Sequence, residues 1–221
     1  LVRFILQKYL KSNTQKIVTI ENGVNLLKVT QAIPKKNNQI LEVLTDENKL
    51  IIQVGSFRTQ KDQDTVIKAL QLLPIKFHLL LVGDGERKTD LEILVNELGL
   101  NDRVHFLGIR KDVFILFKTC DYVVVSSHWE GFGLAAVEGM AANKPVLASN
   151  VKGLKEVVDG AGILFEKGNE KQLASIIKEL DIDANYFNKV AQACLKRSNQ
   201  FDISIMVSKH IQIYREVYAK A

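Results

Sequence analysis

The chain has 221 residues, 47% of them hydrophobic and 25% charged, with a net charge of +5 at neutral pH. That length buries a substantial core and makes one domain with trimmings, and the balance of residues is ordinary for a soluble globular protein. No apolar run approaches the ~18 residues of a membrane span, and no basic run is interleaved with aromatics, which leaves nucleic-acid binding without support.

Cys120 and Cys194 sit in apolar contexts and read as reduced core residues, which points to the cytoplasm. His78, His105, His128 and His210 are scattered, and no Cys/His cluster has metal spacing. The first residue is Leu1 rather than Met and no secretory signal is visible, so the sequence reads as a fragment. The modest positive charge fits a solvated surface, or attraction to anionic ligands or to the inner face of a membrane.

In chain order, residues 1–12 read as a lone helix, Lys16–Ile20 as a short strand and Asn22-Gly23 as a turn. Residues 31–48 are a loop or short helix. From residue 50, short apolar runs alternate with amphipathic segments. Strands are expected over Leu50–Val54, Phe77–Val82, Val104–Leu107, Tyr122–Ser126, Pro145–Ala148 and Gly162–Leu164. Phe77–Val82 is almost unbroken apolar sequence, the mark of a parallel strand covered on both faces. Helices are expected over residues 61–72, 86–98, 111–118, 133–142, 154–158 and 170–179, with Gly99 closing the second. Two more follow at 183–198 and 202–219, the latter capped by Asp202. Strands alternating with helices imply an α/β fold, a Rossmann-like doubly wound parallel sheet with C-terminal helices. Lys61, Gly83–Gly85, Gly108–Arg110 and Glu130–Leu134 all follow strands, so they gather on the rim where such sheets bind ligands.

The segment from Ser127 to Ala142 is the most informative. Gly131-Phe132-Gly133 is a turn running straight into an apolar helix, so it offers free backbone N–H groups at a helix N-terminus, a place for phosphate. Glu138, set among Leu134, Ala135, Ala136, Val137, Met140 and Ala141, needs a partner, because an unpaired buried charge costs several kcal/mol. An anion site with a carboxylate one turn further on suits a nucleotide.

Glu130, seven residues, then Glu138, within E-G-F-G-L-x-x-x-E-x-M-A, resembles the E-x7-E element of retaining glycosyltransferases of family four, of the group 1 glycosyl transferases. Val54-Gly55, Lys61, Leu81–Gly85, Phe106–Gly108, Pro145-Val146, Gly153 with Glu156, and Gly162 follow the same pattern in order. The resemblance implies one half of a GT-B fold, the C-terminal, donor-binding domain. Residues 1–45 would be a remnant of the N-terminal domain with the linker, 46–200 the nucleotide-sugar-binding domain and 201–221 a C-terminal helix. It also implies a hexosyltransferase-type enzyme for polysaccharide assembly, needing no cofactor or metal ion. The donor is a nucleoside diphosphate sugar and the acceptor a carbohydrate or lipid-linked molecule. With the N-terminal GT-B domain missing, the fragment alone is expected to be inactive.

By the same resemblance Glu138 accepts from the ribose hydroxyls and Glu130 orients the transferred sugar, as the catalytic group. Gly131, Phe132, Gly133 and Leu134 offer amides to the diphosphate, and Lys61 meets the distal phosphate. Gly83 lies beside the nucleotide, and Ile109 lies in a loop that meets the base. Ser56 stands where the family has an arginine, with Arg58 two residues on as its replacement. Lys152 stands where the pattern has the first of two glycines. Two other readings are a GT-B-type sugar-nucleotide epimerase and a non-catalytic nucleotide-binding module.

Overall fold

A computed structural model describes residues 18–219 of the chain, and the helix expected over residues 1–12 falls outside them. Strands β1 (Lys49–Val54), β2 (Phe77–Val82), β3 (Val104–Phe106), β4 (Tyr122–Val125), β5 (Val146–Ser149) and β6 (Ile163–Phe165) form one six-stranded sheet in the order β3-β2-β1-β4-β5-β6. Every pairing is parallel, and Ile51 of β1 stands between Leu79 of β2 and Tyr122 of β4. Ile51, Ile52, Leu79, Leu80, Val123 and Val124 are all buried, so both faces of the sheet are covered. That is why these strands read as continuous apolar runs rather than alternating ones.

The helices are α1 (Leu26–Gln31), α2 (Gln63–Gln71), α3 (Lys88–Glu97), α4 (Val113–Thr119), α5 (Leu134–Ala141), α6 (Leu154–Val158), α7 (Glu170–Ile182), α8 (Ala184–Ser198) and α9 (Ile203–Tyr218). From β1 the chain winds outward through α2 and α3 to β2 and β3. It then returns across the sheet through α4 to β4 and winds the other way through α5 and α6 to β5 and β6. Right-handed crossovers put opposite winding directions on opposite faces. Accordingly α2, α3 and α7 pack together, while α5 packs on β4 and β5 with α1, α4, α6 and α8 around it. In α2 the expected stripe of Val66, Ile67, Ala69 and Leu70, with Leu73 beyond it, is buried. Gly99 follows α3 at φ +64°, and Asp202 caps α9 by accepting from the Ser204 N–H at 2.9 Å.

One local expectation is corrected, the strand at Lys16–Ile20, in the part of it that is described. Residues 18–20 carry no strand, and Val18 is 64% exposed; a residue run this open has no sheet edge to pair with. The backbone pairing of this segment comes later and with the far end of the chain. Val24 N–H donates to Phe201 O and Ile203 N–H donates to Val24 O, each at 2.9 Å. Between the expected turn at Asn22-Gly23 and the expected loop from residue 31, a stretch given no element in the sequence, α1 forms because Asn25 accepts from Lys28 N–H at 3.1 Å and Leu26 and Val29, three residues apart, enter the core. Beyond it lies only a short 3-10 turn at Asn37–Gln39.

On β2 and β3 two imidazoles stack: His78 and His105 have ring centroids 5.4 Å apart and an interplanar angle of 6°. Burial pushes His105 down to about 4, helped by His78, and burial and Arg103 push His78 down. The folded state therefore keeps both rings neutral while the unfolded chain takes protons below its ordinary value of ~6.5. Stability present above that value is lost as pH falls toward 4. After allowing for solvent screening of half-buried rings, the loss is about 1 kcal/mol. Melting curves between pH 4 and 7 should show it, and His105→Gln should flatten the acid limb. An unchanged acid limb in the variant would refute this origin.

Candidate active site

The winding reverses between β1 and β4, and a cleft of about 820 Å³ opens there beyond the carboxyl ends of the strands. Its walls come from the ends of β1, β4 and β5, from the start of α5 and from residues 18–22.

A buried polar clamp joins the first two of these loops. Gln53, in the otherwise apolar β1, donates from Nε2 to Lys61 O at 2.7 Å and to Ser126 Oγ at 2.9 Å. The Ser126 hydroxyl reaches Lys61 O at 2.9 Å and Asp62 O at 2.8 Å. His128 N–H donates to Gln60 O, and Gln60 Nε2 to Trp129 O. Asp62 is held in the left-handed region at φ 48°, which costs a non-glycine residue roughly 1–2 kcal/mol. Its buried carboxylate accepts from Thr65 Oγ1 at 2.7 Å and stands 3.5 Å from His128 Nδ1. Burial pushes the Asp62 carboxyl up. Strain and a buried acid beside Lys61 are tolerated because the clamp over-determines the loop.

The clamp delivers Lys61 to Glu130, where Nζ meets Oε2 at 2.5 Å, with the side chains 23% and 13% exposed. Ser127 Oγ adds a bond to the same oxygen at 3.2 Å, and Gly131 N–H donates to Oε1 at 3.3 Å. The Lys61 stem lies along Gly55, where an added Cβ would sit 3.5 Å from Lys61 Cδ. Two residues given separate roles by the resemblance are thus partners in the structure.

Next to this pair the chain turns through Gly133, at φ 89°, into α5. Among the described residues no acceptor meets the N–H groups of Phe132, Gly133, Leu134 or Ala135. All four residues line the cleft. Glu138 lies one turn beyond Leu134 on the same helix face. It is half-buried, has no hydrogen-bond or salt-bridge partner among the described residues, and burial pushes its carboxyl up to about 7. The Phe132 ring packs edge-on against Phe201, centroids 5.3 Å apart, with Arg197 over the far ring. Opposite, Gly153 comes so close to Glu130 that a Cβ would overlap the Glu130 carbonyl oxygen. Glu156 Oε2 then holds the Gly153 N–H at 2.6 Å.

Of the residues singled out in the sequence, Lys61, Glu130, Gly131, Phe132, Gly133 and Leu134 share the cleft wall. Glu138 stands just behind it. Ser56 and Arg58 are exposed and neither lines the cleft. Gly83 packs its Cα against Gly55 and donates to Gly108 O at 2.9 Å, tying adjacent loops. Ile109 is 81% exposed and also off the wall. Gln53, Ser126 and Asp62 were not singled out in the sequence, whereas Glu156 was, paired with Gly153. The one available signal was Gln53 itself, a polar side chain at a buried strand position, which must be hydrogen-bonded. Among the described residues no three His, Cys, Asp or Glu side chains cluster to hold a metal ion. No helix among them is long and apolar enough to cross a membrane.

Known proteins share this architecture. The family described as glycosyl transferases group 1 matches residues 33–197. An uncharacterised glycosyltransferase of Methanocaldococcus jannaschii is 37% identical over 78% of this chain and 51% of its own length. Anabaena HepE, solved in complex with UDP-glucose, superposes with a TM-score of 0.84 at 27% identity, over 93% of this chain and 59% of that one. The C-terminal domain of a group 1 glycosyl transferase family protein from Francisella tularensis matches at a TM-score of 0.67 and 25% identity, over 80% of this chain and 97% of that domain. The chain spans about half the length of the curated relatives it matches.

Proposed function

This chain belongs to the group 1 glycosyl transferases, with the α/β architecture of GT-B enzymes. From that premise we propose that it is the donor-binding half of a retaining, family-four hexosyltransferase. The complete protein would move a sugar from a nucleoside diphosphate sugar to a hydroxyl of a carbohydrate or lipid-linked acceptor.

One observation carries the reading: free amides open α5 at the cleft, and the unpartnered Glu138 lies one turn behind them. The amides and the helix dipole receive the diphosphate and stabilise the charge that builds on it as the glycosidic bond breaks. Glu138 accepts from the ribose hydroxyls, which supply the donors it lacks in the free protein. Glu130 orients the transferred sugar. Lys61 and Ser127 occupy one of its oxygens, which suits a positioning group better than a nucleophile. Attack on the donor from the face the leaving group departs retains configuration, and the departing phosphate helps to take the acceptor proton.

That Anabaena HepE has been solved with UDP and with UDP-glucose supports this donor class. The reading invokes no cofactor beside the donor and places the reaction in polysaccharide assembly, in the cytoplasm at the inner face of the membrane. The other half of a GT-B enzyme brings the acceptor surface and closes over the donor.

A thermal-shift screen of the 221-residue chain against UDP-, GDP-, ADP- and TDP-sugars tests it, since a ligand bound only by the folded state raises its stability. At least one class should shift the transition, and sugar transfer by this chain alone should be undetectable. No shift with any of the four would refute the donor site, and transfer by the chain alone would refute the half-enzyme. If the complete protein binds a donor without turnover, the non-catalytic module is the correct reading.

A further inference from the structure

We propose, on the reading of the cleft as a diphosphate site, that Lys152 supplies its uncompensated positive charge and grips the phosphoryl oxygens of the nucleoside diphosphate. Among the described residues the cations of the cleft wall are Lys61 and Lys152, and its acids are Glu21, Glu130 and Glu156. Lys61 is tied to Glu130. Glu156 is fastened to the backbone of its own loop at Gly153, and its hydrogen bonds to backbone N–H groups hold its carboxyl below the usual range, with Lys152 a lesser contributor. Lys152 itself is exposed and has no hydrogen bond or ion pair among the described residues.

Among the described residues no arginine lines the wall. Asp64 binds Arg87 through two oxygens, and Asp112 binds Arg110 in the same way. Arg103 is buried on the carbonyls of Leu70, Leu73, Pro74 and Phe77. Arg197 is held by the carbonyls of Glu156 and Val157. Arg58 is exposed and lies off the wall.

The backbone then aims Lys152. Its neighbour Gly153 is pressed against Glu130 and Gly131, an added Cβ falling 3.2 Å from the Gly131 carbonyl carbon. Lys152 therefore enters the cleft beside the turn whose N–H groups lack acceptors. A diphosphate seated on those amides brings about two negative charges next to Glu130, and like charges at such range repel. Lys61 meets it with a charge that Glu130 already neutralises. Lys152 gives up only water. Its compact ammonium on a flexible stem acts as a point charge that follows the anion.

Calorimetric titration of the 221-residue chain with inorganic pyrophosphate, with UDP, GDP, ADP and TDP, and with the matching nucleosides decides the matter. Lys152→Ala should weaken pyrophosphate and the preferred diphosphate about tenfold, as for loss of one charged contact. It should also reduce the salt dependence of binding, while Lys152→Arg keeps most of the affinity. Nucleoside binding should not change. Pyrophosphate and diphosphate binding as tight in Lys152→Ala as in the wild type would overturn the inference and leave the donor site standing. An equal loss for the nucleoside would overturn it too, because a cation on phosphate does not touch base or ribose. If only transfer to a phosphate-bearing acceptor suffers in the complete protein, the charge serves the acceptor and the inference is wrong. A wild-type chain that binds none of these anions removes both the inference and the site beneath it.

Discussion

Glu138→Gln is expected to melt later than the wild type above pH 7 while losing most of its affinity for nucleotide. The two effects have one cause. Burial raises the Glu138 carboxyl from an ordinary 4.5 to about 7. Below pH 4.5 both folded and unfolded chains hold the proton and the residue has no net effect. Between 4.5 and 7 the unfolded chain ionises first, so stability is lost as pH rises, and above 7 the penalty is complete. Allowing for the part of the side chain that meets solvent, the penalty is about 2 kcal/mol, worth roughly 4–8 °C in a chain of this size. The amide variant carries no charge to desolvate. It also offers the ribose hydroxyls a weaker acceptor, so affinity should fall about tenfold or more. In the wild type, nucleotide affinity should rise with pH through 7 as the carboxylate forms, and the variant should be flat. Scanning calorimetry at pH 5 and pH 8, paired with titration at both, reads out every part. Equal melting temperatures at pH 8, or equal affinities, would show that Glu138 is neither desolvated nor engaged.

Gly153→Ala should do the opposite, lowering stability and emptying the site together. Gly153 has φ +94° and ψ −50°, a conformation that L side chains rarely adopt. Its new methyl would overlap the Glu130 carbonyl oxygen and lie 2.9 Å from the carbonyl carbon. Those are backbone atoms, so no rotamer change relieves the clash, and one loop must move. Strain of this sort costs about 2–3 kcal/mol, or roughly 5–10 °C. The loop that yields carries Glu130, so the Lys61 pair and the free amides lose their geometry and nucleotide binding should drop with the melting temperature. Gly131→Ala is the control: its Cβ would meet nothing within 4 Å, so its melting temperature should barely change. If Gly153→Ala melts within a degree of the wild type, the close approach of the two loops is not real.

The sheet could be read from the chain because each strand is buried on both faces. A run such as Phe77–Val82 carries that fact locally, and its bounds in the structure are those expected. The turn into α5 was equally local, since both acids and the glycines fall within nine residues, Glu130–Glu138, and the apolar helix follows at once. Other features depend on partners far away. Nothing near Lys61 announces Glu130, 69 positions on, as its partner. Gln53 makes sense only when Ser126 closes on it from β4. The expected strand at Lys16–Ile20 had the right residue types, but its described part has no neighbouring strand. α1 is six residues long and too short to show a helical period. Arg58 had the right charge and a fitting position in sequence, yet its neighbourhood puts the side chain into solvent instead of the cleft.

The contact between Phe132 and Phe201 reaches past either ring. Phe201 lies under Arg197, and its carbonyl, with the N–H of Ile203, is stitched to Val24. The glycine turn is therefore braced by two stretches that element counting would assign to the outskirts of the fold. A chimera that grafts residues 46–198 of this chain onto a relative would carry every cleft lysine and leave the brace behind. Donor specificity transplanted in that way would come with a loosened turn, so the tail should travel with the loop it supports.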